Sequence, residues 1–128
     1  MKKLLFFLSV ALGTSLFAQN LYFDAYKDIL KAKRLLNTDK TKADRLFVEA
    51  YGYLKQVVNS SIDENKPSSN AFKLLGEMYL NGWGVDKDMQ KAKQLLCAAK
   101  NLGNTQAKRL IEKSNIQCGE INYKELKQ

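Results

Sequence analysis

The chain has 128 residues, the length of a single domain, and a formal net charge of +8 from 21 lysine and arginine residues against 13 acids. It contains no histidine and only two cysteines. A Ser-His-Asp or Cys-His nucleophilic system is therefore excluded. A zinc site that needs histidine, or four cysteines from one chain, is excluded as well. No catalytic residue, metal ligand or cofactor site is predicted.

Residues 1–18 have the layout of a secretory signal peptide. Residues 1–3 are a short basic start, residues 4–12 (LLFFLSVAL) are an apolar core, and cleavage is predicted after Ala18. Cleavage lowers the length from 128 to 110 residues and the charge from +8 to +6, because the removed segment holds two lysines and no acid. The alternative is an uncleaved anchor, but the apolar stretch is well short of the roughly 20 residues that span a bilayer. We expect a periplasmic or secreted protein with no stable membrane span.

The rest of the chain carries helical periodicity. Apolar residues recur at three- and four-residue spacing over 21–36 and 42–58, which predicts two helices joined by a turn at 37–39. Residues 59–69 contain the only proline among serines and asparagines and predict a linker.

Further helices are predicted beyond this linker, and no segment alternates in the manner of a strand. Their predicted extents are residues 70–80, 89–102 and 105–114, with a glycine-containing loop at 81–87 and a left-handed stop at Gly103. A last short helix is predicted in the tail from Cys118 to Gln128. The predicted fold is therefore all-α, with about five helices.

The pattern Asp-x-x-Lys-Ala occurs twice, at residues 39–43 and 88–92. In each copy another alanine follows seven residues after the first, at Ala50 and Ala99. The aspartates are expected to cap helix N-termini, and the small alanines to let a neighbouring helix approach closely. The pattern predicts two helical hairpins packed side by side.

The second copy lies within a longer run of spaced positions: Ala71, Leu75, Gly76, Tyr79, Gly82, Gly84, Val85, Asp88, Lys91, Ala92, Ala99, Gly103 and Ala107. At these positions the chain resembles the Sel-like repeat (SLR) family, a relative of the tetratricopeptide repeats with a unit of about 36 residues. The resemblance implies a short helical-hairpin solenoid. The whole chain is then divided into the signal peptide at 1–18, a degenerate hairpin at 19–58, a linker at 59–69, an SLR repeat at 70–106, and a capping helix and tail at 107–128.

The consensus residues have architectural explanations. Gly76 falls in the middle of a helix, where it is tolerated only if another helix packs against the bare backbone. Gly82 and Gly84 are expected to supply loop conformations that a Cβ would hinder. Leu75 and Tyr79 are expected to fill the space between the two helices.

Cys97 and Cys118 are predicted to form a disulfide, because an exported protein meets an oxidising compartment. The bridge would close a loop of about 20 residues and contribute about 3 kcal/mol by the loop-entropy estimate. The alternative is two separate thiols.

Trp83 and Tyr53 are candidate contacts for a partner. Trp83 lies in the hairpin loop between two glycines, and Tyr53 falls off the apolar face of its helix. Tyrosine and tryptophan are over-represented among the residues that dominate binding energy. The alternative for Trp83 is that it folds over the end of the hairpin.

The resemblance implies an exported protein–protein interaction module, an adaptor or scaffold of the bacterial envelope that presents a concave face. One alternative is a β-lactamase-like or peptidoglycan-directed enzyme, as described for some cysteine-rich SLR proteins, but none of the seven serines has lysine three residues later. Another is an accessory part of an envelope machine such as a flagellar motor or secretion system. The basic residues are scattered, with the densest cluster at Lys31, Lys33 and Arg34, which indicates solvated helix faces and not a nucleic-acid partner.

Overall fold

The computed structural model describes the backbone of residues 2–128 and the side chains of residues 19–128. The predicted signal peptide, residues 1–18, lies outside the residues whose side chains are described. The elements in chain order are α1 (Lys2–Leu35), α2 (Lys40–Asp63), α3 (Ser69–Asn81), α4 (Met89–Asn101), α5 (Thr105–Lys113) and a 3₁₀ turn at Tyr123–Leu126. No strand occurs in this part of the chain, so the predicted all-α fold is confirmed.

Each helix packs against the next one in sequence, and the most extensive packing joins α1 to α2 and α3 to α4. Short connections link the members of each pair, as in antiparallel helical hairpins. Helix α5 then packs against α4, and the 3₁₀ turn also contacts α4. In the part of the chain that the structure describes, no helix is both long and apolar enough to cross a membrane.

Aspartate caps begin the second helix of each hairpin, as the repeated pattern predicts. The carboxylate of Asp39 accepts a hydrogen bond from the backbone N–H of Lys42, and that of Asp88 accepts from Gln90 and Lys91. Each cap satisfies backbone donors that the first helical turn leaves without a partner.

The core lies between successive helices and is built largely from small and medium side chains. The alanines of both pattern copies are fully buried, at Ala43, Ala50, Ala92 and Ala99. Leu75 and Tyr79 are also buried, at 0% and 2% exposure, in agreement with their expected place between helices.

Gly76 lies where α3 and α4 come closest. A Cβ built on Gly76 would lie 2.9 Å from Cγ of Leu96 and 3.3 Å from Cβ of Leu95. The expectation that another helix packs against this bare backbone is confirmed.

The loop between α3 and α4 also depends on glycine. Gly84 has φ +70°, and a Cβ there would lie 2.4 Å from the carbonyl carbon of Phe47 on α2. Gly82 ends α3 with φ +69°. These residues let the loop fold back onto the first hairpin, and Val85 packs half-buried against the core.

Helix α2 is longer than the sequence pattern predicts. It continues to Asp63, five residues beyond the predicted end at Val58, so the connection to α3 is confined to residues 64–68. The reason is burial: Val57, Val58 and Ser61 all lie in the interior, and the Ser61 hydroxyl donates to the Val58 carbonyl. Tertiary packing overrides the weak helix preference of the asparagine and serines that follow Val58.

Helix α1 buries its small residues and exposes several large ones. Ala25, Ile29 and Ala32 are at most 2% exposed, whereas Phe23 is 57% and Tyr26 43% exposed. The alanine stripe lets α2 approach closely, and this turns the aromatic residues toward solvent. The apolar periodicity of residues 21–36 therefore predicts the helix, but Phe23 and Tyr26, which contribute to that pattern, lie outside the core.

Candidate functional site

Helices α1, α3 and α5 contribute to one shared surface, which we call the α1–α3–α5 face. This surface contains a cavity of about 490 Å³ that is open to solvent. The cavity is lined by residues from the C-terminal parts of these three helices, the α3–α4 loop and the first residue of α4: Lys33, Glu77, Leu80, Asn81, Trp83, Lys87, Met89, Leu110, Lys113 and Ser114. Helix packing brings them together although they are spread along the sequence from Lys33 to Ser114.

Trp83 is held in a fixed orientation at the edge of this cavity. Its ring stacks on that of Phe47, with 5.2 Å between centroids and an interplanar angle of 6°. The ammonium of Lys33 lies 4.7 Å from the centroid of the indole ring. Trp83 therefore packs against the first hairpin and also lines the cavity, and its role as a partner contact stays a prediction.

The apolar part of the cavity is provided by Leu80, Leu110 and Met89. Leu80 and Leu110 are half-buried, and Met89 is 47% exposed. Together with Trp83 they offer an apolar floor that a partner side chain could cover. Sequence reasoning missed these residues because each one alone has the spacing of an ordinary core position.

The charge around the cavity is positive. Lys33, Lys87 and Lys113 line it, and the single acid among the lining residues, Glu77, is paired with Lys73 at 2.7 Å between Nζ and Oε1. Because Glu77 is neutralised by its own helix neighbour, the rim presents a net positive potential.

Tyr22 lies on α1 and is not among the residues that line this cavity. It forms an aromatic cluster with Phe23 and Tyr26, with centroid distances of 5.7 Å and 6.4 Å. Burial raises the pKa of the Tyr22 hydroxyl, and the nearby Tyr26 and Glu77 raise it further.

Tyr53 does not line the cavity. Its hydroxyl donates a hydrogen bond of 2.8 Å to Oε1 of Glu49, one turn earlier on α2. This bond, with smaller effects from burial and nearby acids, raises the pKa of Tyr53. The structure therefore does not bring the two candidate contacts Trp83 and Tyr53 together.

A second feature near Glu49 is the half-buried carboxyl of Asp28 on α1. Burial raises its pKa from 3.8 to about 6, and the neighbouring acids Glu49 and Asp24 act in the same direction, while Lys31 lowers it. Among the described residues, Oδ2 of Asp28 is buried and has no hydrogen-bond partner. The raised pKa of Asp28 could not be inferred from the sequence, because the approach of Asp28 to Glu49 depends on the register between α1 and α2.

The cysteines are joined as predicted. The Sγ atoms of Cys97 and Cys118 are 2.01 Å apart, and the sequence separation is 21 residues. The bridge ties the segment after α5 to the buried face of α4.

Within the described part of the chain, no group of three or more His, Cys, Asp or Glu side chains is arranged to hold a metal ion. No protein-family model, curated protein or solved structure matches this chain.

Proposed function

We propose that this protein is an exported, SLR-type interaction module that binds another protein of the bacterial envelope through its α1–α3–α5 face. The observation that carries the proposal is the cavity of about 490 Å³ on this face, with the ring of Trp83 at its edge. Its volume lies within the range of ligand-binding clefts. It places a tryptophan, a residue type enriched at binding hot spots, beside apolar side chains and within a polar rim.

Two features of the hairpin support the SLR assignment within this proposal. Gly76 meets Leu96 at the α3–α4 crossing, and Gly84 meets the backbone of Phe47. Both contacts give a physical role to residues that the repeat consensus specifies. The roles of these residues are architectural, so the proposal includes no catalytic activity.

Export is part of the same proposal. Its support is the basic and apolar pattern of residues 1–18 together with the Cys97–Cys118 disulfide, since such bonds persist in oxidising compartments.

The test combines crosslinking in cells with two matched substitutions. Leu110→Asp places a charge within the cavity, and Val48→Asp places the same charge on an exposed position of α2, where Val48 is 57% exposed. We expect one identified envelope protein to crosslink to the wild-type chain and to the Val48→Asp variant, and at least tenfold less to Leu110→Asp. Equal crosslinking of both variants, with both folded by circular dichroism, would reject the α1–α3–α5 face as the binding surface.

A further inference from the structure

The tail of the chain lies across a surface that α2, α3 and α4 form. We call this surface the tail groove and define it by Asn59, Asp63, Phe72, Tyr79 and Leu95. None of these residues lines the cavity of the α1–α3–α5 face. The role of the tail groove is therefore independent of the function proposed for that face.

Two apolar side chains of the tail, three residues apart, anchor it in the groove. The ring of Tyr123 stacks on Phe72, with 6.0 Å between centroids and an interplanar angle of 21°. Leu126 is 4% exposed and lies beside Leu95 at the edge of a cavity. This spacing places both side chains on one side of the short 3₁₀ turn, where they point into the groove.

Polar contacts hold the end of this segment through the backbone of Gln128 and the side chain of Lys127. The amide of Asn59 accepts a hydrogen bond of 2.7 Å from the N–H of Gln128 and donates one of 3.1 Å to the carbonyl of Gln128. Such a reciprocal pair recognises the backbone of a residue whatever its side chain is. The carboxylate of Asp63 pairs with Lys127 at 2.6 Å, on a side of the groove that is open to solvent.

The side chain of Gln128 is recognised separately. The hydroxyl of Tyr79 donates to its Oε1 over 2.8 Å, and the hydroxyl of Tyr51 lies 2.9 Å from that of Tyr79. Because Tyr79 donates to Gln128, Tyr51 donates to Tyr79, and the chain of hydrogen bonds ends on the glutamine. Burial and the bond to Tyr51 raise the pKa of Tyr79, so this donor stays protonated over the physiological range.

Most of the tail lies at the surface, and Leu126 is the one tail residue that belongs to the core. Between residues 119 and 128, Leu126 alone is buried, and the other residues are exposed or half-buried. A cavity of about 300 Å³ remains beside the tail, lined in part by Lys55, Lys91 and Gln94. The disulfide at Cys118 fixes the start of the segment, so the noncovalent contacts act at a high effective concentration.

We propose that the tail groove is a docking surface for a peptide segment and that residues 119–128 occupy it within the same chain. The partner it fits has an aromatic residue, a leucine three positions later and an amide side chain two positions after that, as in Tyr123, Leu126 and Gln128. A segment of a second protein with this pattern binds when the chain's own tail is displaced, and the tethered tail keeps weaker segments out.

The probe is a fluorescently labelled, C-terminally amidated peptide with the sequence of residues 119–128 (GEINYKELKQ). The receptor is the full chain with its disulfide intact, as wild type and as the Tyr123→Ala/Leu126→Ala variant, which loosens the tail. By fluorescence anisotropy we expect the variant to bind the peptide at least tenfold more tightly than the wild type, whose groove is occupied. A peptide with both anchors replaced by alanine is expected to bind at least tenfold more weakly.

Two further variants locate the site. Asn59→Ala, added to the loosened chain, is expected to weaken binding at least fivefold, whereas Asn101→Ala, an exposed asparagine on α4 that does not contact the tail, is expected to leave it unchanged. If Tyr123→Ala/Leu126→Ala loses its helical circular dichroism, Lys127→Glu/Gln128→Ala replaces it, since both of these residues are exposed. The proposal is overturned if the loosened chain does not bind the peptide, if it binds no better than wild type, or if Asn59→Ala has no effect.

Discussion

Gly52 and Gly76 are both helix-interior glycines, but their surroundings differ. Nothing lies within 4 Å of a Cβ built on Gly52, whereas one built on Gly76 meets Leu96 at 2.9 Å. We expect Gly52→Ala to stabilise the protein by about 1 kcal/mol, the helix-propensity gain. At Gly76 the overpacking cost exceeds that gain, so Gly76→Ala should destabilise by about 1 kcal/mol.

Urea unfolding of the two alanine variants measures these opposite signs directly. If both substitutions changed the free energy of unfolding in the same direction, the close crossing of α3 and α4 at Gly76 would be wrong.

Asp28 gives the stability a distinct pH dependence. Its pKa is raised to about 6 in the folded protein, so the folded state holds the proton more tightly than the unfolded state does. The stability contributed by this group is therefore fully present below about pH 3.8 and is lost as the pH rises through 6. Asp28→Asn should stabilise the protein at pH 7 by about 1 kcal/mol, a value reduced for solvent screening of this half-buried group.

Thermal unfolding at pH 7 and pH 4 tests this expectation. The gain from Asp28→Asn should shrink as the pH falls to 4, where Asp28 is largely protonated in the wild type. Asp44→Asn, an exposed acid on α2, serves as the control and should change the stability by less than about 0.5 kcal/mol. A gain that is equal at both pH values would show that burial of the charged form of Asp28 is not its cause.

Among the elements of the chain, those with strong local signals could be predicted from the sequence. The capping aspartates, the alanine stripes and the loop glycines each act through contacts within a few residues or within one hairpin. The helices and loops that depend on them were therefore predicted close to their observed positions. The end of α2 was not, because Ser61 looks like a linker residue until the burial of Val57 and Val58 is known. The exposed aromatics of α1 were missed for a similar reason: periodicity indicates an amphipathic helix, but close packing of α2 on Ala25 and Ala32 decides which stripe is buried.

The Cys97–Cys118 disulfide is expected to stabilise the fold because it lowers the conformational entropy of the unfolded chain. For a loop of 21 residues, the loop-entropy estimate is about 3 kcal/mol. Cys118→Ser should lower the free energy of unfolding by about this amount and leave the helical circular dichroism unchanged, because Cys97 remains as a buried apolar side chain. Reduction of the wild type should produce the same loss, and a variant as stable as the oxidised wild type would contradict a stabilising bridge.

At the scale of the whole molecule, the proposed export leads to two predictions about the mature protein: where its chain begins and whether its cysteines are oxidised. Intact mass spectrometry of protein recovered from the envelope should show a chain that begins near Gln19 and lacks about 2 Da relative to the dithiol form. Retention of residues 1–18 would contradict cleavage after Ala18, and two free thiols in this fraction would contradict an oxidising location.

The α1–α3–α5 face is a property of the whole solenoid, and this explains why the sequence indicated so little of it. Trp83 stood out because it lies between two glycines. Lys33, Leu80 and Leu110 did not, since only the stacking of three helices places them around one cavity. The second candidate, Tyr53, was chosen like Trp83 as an aromatic residue outside the predicted core, but its hydroxyl binds Glu49 on its own helix. Residue type alone does not distinguish the two.

The most direct test of the proposed interaction is photo-crosslinking in the native host from single positions on opposite parts of the molecule. A photoreactive phenylalanine analogue at Asn81 or Lys113 lies at the cavity of the α1–α3–α5 face, and the same residue at Arg45 or Gln106 lies on exposed helix surface outside it. We predict one discrete protein adduct from positions 81 and 113, identical in mass, and none from positions 45 and 106. An adduct of equal yield from all four positions, or from positions 45 and 106 only, would contradict binding through this face.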